Sequence, residues 1–240
     1  MGTLTARLFG VTAAIAMMLT CAGCIVGERN TNGDSDMSEL TARIDDVGYS
    51  RLDDAGIEQI KDSRIAKFDL RTGTETLAAV GLPSGPHVTG PAIGGADEPD
   101  LLLVLDGPQG REVTDTRTIM VAVSPRYNTL YEMVYWRSAD DIEHAIEEVR
   151  SGITRWGYSK DRVDTWIDGV NKHRNDSYKR VVSTGVSPTG LVTSVEVSYK
   201  AGKPVVLRYI LHLLPSMYAP ENLEAIRRTG MTAPDYVGIP

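Results

Sequence analysis

The stretch from Arg117 to Leu214 changes its hydrophobic period twice, and those changes limit what the chain can fold into. Arg117–Ser124 and Thr129–Ser138 read as strands, parted by the turn Pro125-Arg126-Tyr127-Asn128, the pattern of a hairpin. From Asp140 to Tyr158 the period becomes helical. Ile142, Ile146, Val149, Ile153 and Trp156 form one apolar stripe, and the opening acids Asp140, Asp141 and Glu143 suit the positive end of a helix dipole. Gly157 breaks this helix. Ser159–Asp161 caps a second one, whose stripe is Val163, Trp166, Ile167 and Val170. Strand-like runs then return as Tyr178–Val186, Leu191–Tyr199 and Val205–Leu214. Their connections, Ser187-Pro188-Thr189-Gly190 and Ala201-Gly202-Lys203-Pro204, are short enough to force antiparallel neighbours. The order ββααβββ predicts an α+β domain: an antiparallel sheet of about five or six strands packed against a helical hairpin.

Finer expectations follow from side-chain alternation. In Leu191–Tyr199, Leu191, Thr193, Val195, Val197 and Tyr199 point inward, and Ser194, Glu196 and Ser198 outward. In Thr129–Ser138, Tyr131, Met133 and Tyr135 point one way and Leu130, Val134 and Trp136 the other, which predicts a central strand covered on both faces. Upstream, short helices are expected over Ser38–Val47, with Ser38 as N-cap, and over Asp53–Lys61. Arg64–Arg71 reads as a strand in which Phe68 and Leu70 alternate with Lys67 and Asp69, and Leu101–Leu105 as a buried strand. The Gly/Pro-dominated run Val80–Pro99 reads as a long irregular loop. A short helix, Pro220–Arg228, is expected in the tail.

The N-terminus carries a different kind of signal. Arg7 precedes the uncharged stretch Leu8–Leu19, which suits a signal-peptide core and falls short of the roughly 20 residues a membrane-spanning helix needs. Leu19-Thr20-Cys21-Ala22-Gly23-Cys24 follows directly and resembles a bacterial lipobox, with Cys21 where leucine is usual. That resemblance implies a lipoprotein signal peptide over residues 1–23, cleavage after Gly23, and lipidation of Cys24. The mature chain would then sit on the extracytoplasmic face of the cell membrane, held by its lipid. Residues 24–37 are polar and Gly/Asn/Asp-rich, which reads as a flexible tether, and 38–240 as a single domain. In element order and size this domain resembles the PsbP-like sheet flanked by helices found in some small, uncharacterised actinobacterial lipoproteins.

Charge and motifs narrow the chemistry. Of 25 basic side chains only Arg7 leaves with the leader, and none of the 32 acidic ones, so the net charge moves from −7 to −8. That balance argues against nucleic acid as a partner. There is no Walker loop, no GxGxxG and no HExxH, so no cofactor is expected. Glu28–Glu39 approaches EF-hand spacing, but Cys24 leaves no room for the preceding helix, and the spacing is read as a polar tether. His144 with Glu147 and Glu148 reads as a solvated helix face. Gly185-Val186-Ser187 lacks the glycine that a serine-nucleophile elbow would need. His212, in the apolar run Tyr209–Leu214, reads first as a hydrogen-bonded strand histidine, since its alternation with Arg208 and Ile210 gives it no partner; an enzyme would use it or the His144 cluster, with the Val80–Pro99 loop, at its site. The aromatics crowd one hairpin and the adjacent helices, so Tyr131, Tyr135, Trp156 and His212 are the candidate pocket. The expected function is a binding or accessory module of the envelope, for a protein or an apolar ligand near the bilayer. The alternative is an envelope hydrolase, or another enzyme, using a histidine-containing pocket.

Overall fold

Strand pairing is set by short connections, and these build one large sheet and one small one. The computed structural model describes residues 33–85, 89–95, 97–174 and 176–231; side chains are described from Glu39 onward. Cys24, the leader and His87 lie outside the described residues. The elements begin with α1 (Gly33–Asp46), α2 (Asp54–Ser63), β1 (Ile65–Asp69) and β2 (Ala92–Gly94). They continue with β3 (Leu101–Gly107), β4 (Gly110–Thr116), β5 (Thr118–Ser124) and β6 (Thr129–Ala139). After α3 (Ile142–Arg155) and α4 (Lys160–Lys172) come β7 (Tyr178–Val186), β8 (Val192–Tyr199) and β9 (Val205–His212). A 3-10 turn, Pro215–Tyr218, and α5 (Pro220–Thr229) close the described chain. The class is α+β, as the period changes predict. No helix among the described residues is long and apolar enough to cross a membrane.

The large sheet has the order β2-β5-β6-β9-β8-β7 and is antiparallel throughout. The small sheet has the order β1-β3-β4. Its β1–β3 pair is parallel, because the chain between them is long enough to return to the same end of the sheet. One continuous apolar core joins the two sheets to the helical hairpin. Phe68 and Leu103 contribute from the small sheet, Met133, Tyr135 and Tyr209 from the large one, and Val149, Val163 and Trp166 from the helices. Helix starts follow their caps: Asp53 accepts from the Gly56 N–H at 3.0 Å, and Asp141 from the His144 N–H at 2.9 Å.

Four sequence expectations change, and one strand, β4, comes without any expectation. Helix α1 begins at Gly33, so helical backbone takes in the end of the segment read as tether, and Ser38 is not its N-cap. The irregular loop contains β2, which adds an edge to the large sheet against β5. Strand β4 carries almost no apolar signal beyond Val113, since as the edge of the small sheet it needs little burial. Lys67 does not face solvent: it is 7 % exposed, and its Nζ donates to the carbonyls of Ile44 and Val47 at 3.1 Å, just where α1 runs out of its own partners. Finally, a register shift between Ala122 and Val123 leaves Tyr131 as the extra residue of a β-bulge. Leu130 therefore joins Met133 and Tyr135 in the main core. Tyr131 packs instead against a second cluster, Val186, Val192, Leu214, Met217 and Ile226.

The helical hairpin sits flush on β7 because two glycines let it. Gly157 has φ +70, and a Cβ there would meet the Val186 carbonyl. Across the contact, a Cβ on Gly185 would meet the backbone of Trp156 and Gly157, next to the isolated bridge between Tyr158 and Gly185. Gly185→Ala is expected to cost about 1–3 kcal/mol by overpacking. It should appear as a lowered urea midpoint with an unchanged m value; an unaltered midpoint would refute the contact.

Candidate functional site

The four aromatic and histidine candidates do not line one cavity. Tyr135 and Trp156 lie in the main core, 1 % and 2 % exposed. Tyr209 joins them: it stacks on Tyr135 with centroids 4.9 Å apart and meets Trp156 at 6.2 Å. The Tyr209 hydroxyl donates to Glu148 Oε1 at 2.8 Å, which gives this buried ring its polar partner. Tyr131 is turned away by the bulge, and His212 falls on the opposite face of β9 from Tyr209 by strand alternation.

On that face His212 enters a row of polar groups that crosses three strands. Ser194 Oγ lies 2.7 Å from His212 Nε2 and 2.7 Å from Thr184 Oγ1. Glu132 Oε1 stands 3.7 Å from His212 Nδ1, too far for a hydrogen bond but near enough to favour the tautomer protonated there. Nε2 is then an acceptor for the Ser194 hydroxyl. Burial pushes the His212 pKa down to about 4 and keeps the ring neutral near pH 7. Burial also raises the Glu132 pKa, against the pull of Arg208. A hydroxyl on a neutral imidazole with a carboxylate behind it is the composition of an activated nucleophile. The row lies beside the apolar cluster capped by α5 and the 3-10 turn, and Ser194 is only 3 % exposed.

Two cavities lie elsewhere, along α4 and the edge strand β7. One cavity of about 360 Å3 is lined by Ser159, Asp161, Arg162, Arg180 and Arg228 among others. A second, of about 300 Å3, is lined by Trp166, Gly169, Val170, His173, Tyr178 and Lys179 among others. Trp166 and Arg180 belong to both, so the two cavities form one groove. Arg155 and Arg174 sit on carboxylates of Glu112 and Glu143. Arg162, Arg180 and Arg228, by contrast, form no ion pair among the described residues. The Nε of Arg162 donates to the Thr229 carbonyl at 2.7 Å.

The floor of the groove is apolar with polar edges left over. Trp166 is 4 % exposed, and among the described residues neither its Nε1–H nor the Tyr178 hydroxyl has a partner of hydrogen-bond geometry. Burial pushes the Tyr178 pKa up to about 12, opposed by the nearby indole N–H. His173 and His144 are exposed and face Asp176 and Asp141 at 3.0 Å and 2.9 Å, the latter being the N-cap of α3. Among the described residues no group of three or more His, Cys, Asp or Glu side chains is placed to hold a metal. Sequence reasoning missed Ser194, Glu132 and the three arginines. None lies in a local motif, and Arg162, Arg180 and Arg228 come from three different elements.

Comparison with protein-family models gives no match, and neither the curated proteins nor the solved structures contain a match to this chain.

His212 makes stability depend on pH. The unfolded ring takes up a proton below about pH 6.5, whereas the folded ring resists it down to about 4. Its contribution is therefore complete above about pH 6.5 and is lost as pH falls toward 4. His212→Gln should show a smaller loss of unfolding free energy than the parent chain between pH 7 and pH 4.5. Equal losses would refute the buried neutral state.

Proposed function

We propose that this chain is a lipid-anchored extracytoplasmic binding module of the bacterial envelope, with the α4–β7 groove as its binding face. The convergence of Arg162, Arg180 and Arg228 on one cavity, without ion-pair partners among the described residues, carries the binding face. Three guanidinium groups without an ion pair among the described residues, in a chain with 32 acidic residues, point to a partner from outside. The groove also flanks the edge of the large sheet, where β7 offers exposed Lys179, Arg180 and Val181. The anchor is supported by the run Leu19–Cys24 and by the absence of a basic excess that could hold the chain to anionic lipid without it. An envelope protein or an amphiphilic ligand near the bilayer fits this setting; nucleic acid does not.

A second reading, hydrolysis, is favoured by the Ser194–His212–Glu132 geometry alone. Ser194 would attack an ester carbonyl as His212 Nε2 takes its proton and Glu132 stabilises the imidazolium; the C–O bond to the alcohol would break with that proton passing to the leaving alcohol, and water would then release the acid from the acyl-serine. The burial of Ser194 means that the cap formed by α5 would have to part first.

For the binding reading, mass spectrometry should find a diacylated or triacylated Cys24 at the mature N-terminus, and Cys24→Ala should leave the membrane fraction. In protein extracted from its own membrane, amide exchange over Tyr178–Val182 should be slow, quicken after high-salt stripping, and be fast from the outset in an Arg162→Glu/Arg228→Glu double variant. An unmodified N-terminus defeats the anchor, and exchange insensitive to both treatments defeats the binding face. For the hydrolase reading, a fluorophosphonate probe should label Ser194 in the parent chain and not in His212→Gln; absence of labelling removes it.

A further inference from the structure

The geometry points to the ligand class of this groove: a monoester of a tetrahedral oxyanion, phosphate or sulfate, carrying an apolar or aromatic body. The inference rests on the α4–β7 groove being the binding face. The first cavity brings together Arg162, Arg180 and Arg228 with one opposing carboxylate, Asp161. The surplus of two positive charges matches the dianion of a phosphate monoester and exceeds the single charge of a sulfate monoester, and guanidinium forks present paired N–H donors at the spacing of the oxygens of either. Ser159 lines the same space, whereas the Thr165 and Thr229 hydroxyls that also border it already donate to the carbonyls of Asp161 and Ala225. A cavity of about 360 Å3 exceeds what a bare oxyanion fills, so the anion would sit against the arginines with room for the ester bond to lead away.

The second cavity lies where that body would go, sharing the Trp166 and Arg180 wall. Val170 and the Trp166 and Tyr178 rings provide its apolar surface. The buried Trp166 Nε1–H and Tyr178 hydroxyl lie near each other without hydrogen-bond geometry to any partner among the described residues, and give it polar edges that a ligand oxygen could satisfy. Gly169 supplies an independent indication. It lies in the last turn of α4 (Lys160–Lys172), where glycine still has a lower helix propensity than alanine. Nothing stands within 4 Å of where its Cβ would be, so no packing explains the missing side chain. What the glycine does is keep the mouth of the second cavity clear.

The test uses isothermal titration calorimetry on the full-length Cys24→Ala chain, so that lipid does not intervene, with inorganic phosphate and phenyl phosphate as probes. Phenyl phosphate is expected to bind on the order of tenfold more tightly than inorganic phosphate, and Arg180→Gln/Arg228→Gln to weaken both by about tenfold or more. Gly169→Leu fills open space on a helix and should fold at least as well as the parent, as circular dichroism will show. It should abolish the advantage of phenyl phosphate and leave inorganic phosphate binding unchanged. Sedimentation with phosphatidylcholine vesicles containing phosphatidic acid separates the sources. Arginine-dependent pelleting assigns a lipid headgroup, and binding of the free monoester without pelleting assigns a soluble one. Equal affinities for the two probes, or affinities indifferent to the arginine and glycine substitutions, overturn the ligand class. If phenyl phosphate fails while exchange over Tyr178–Val182 still responds to Arg162→Glu/Arg228→Glu, the binding face stands and only the ligand class falls. If neither responds, both fall.

Discussion

Tyr135 stacked on Tyr209 across the β6–β9 ladder is the contact on which the rest of the structure depends. It couples the N-terminal half of the large sheet to the C-terminal meander, and Trp156 closes on Tyr209 from the end of α3. Burying rings with hydroxyls requires a partner at the rim, and Glu148, on α3, accepts from Tyr209. The same carboxylate lies 3.5 Å from Arg137 of β6, so one helix residue ties together two central strands. With the hairpin held there, α4 is carried to the edge of the sheet, and the Gly157–Gly185 approach brings its start against β7. The groove is thus a consequence of where the core places α4, whose apolar stripe is buried and whose first turn faces α5 and β7.

The two faces of the large sheet have different fates. One is sealed by the helices and the small sheet into the main core. The other is covered at one end only, by α5 and the 3-10 turn over Val186, Val192 and Leu214. At the boundary of that cover, Thr184, Ser194 and His212 satisfy one another, as hydroxyls and an imidazole taken out of water must. This explains the row without any catalysis. A sheet half covered by a short helix needs some such polar step between its apolar patch and solvent. The arginine groove has a partial structural reason, since Arg162 donates to the Thr229 carbonyl and Arg228 sits in the last turn of α5, where a cation complements the helix dipole; neither contact accounts for Arg180, and the three guanidinium groups, unpaired by carboxylates among the described residues, repel.

Much of the fold was legible because period is a local property. The stripe of α3, the clean alternation of Leu191–Tyr199 and the short turns after β7 and β8 each predict their element and its antiparallel neighbour. What local pattern could not carry was register. Alternation assigned Leu130 and Tyr131 to the wrong faces because one bulged residue reverses the faces upstream of it, and nothing in Thr129–Ser138 marks where the bulge falls. Lys67 looked solvent-facing because its partners, the last carbonyls of α1, come from an element some twenty residues away. Strand β4 escaped notice because a polar edge strand has little apolar signal to read.

The sequence by itself determined the class of fold, the antiparallel meander, the acidic balance and the lipobox-like run ending at Cys24, all properties of neighbouring residues. Only the tertiary structure decided which side chains meet. It parted Tyr131 and His212 from Tyr135 and Trp156, set Ser194 beside His212, and gathered Arg162, Arg180 and Arg228 around one cavity. The reason is geometric. These arginines come from a helix, an edge strand and a terminal helix, and their closeness depends on how those elements cross, which no spacing along the chain encodes.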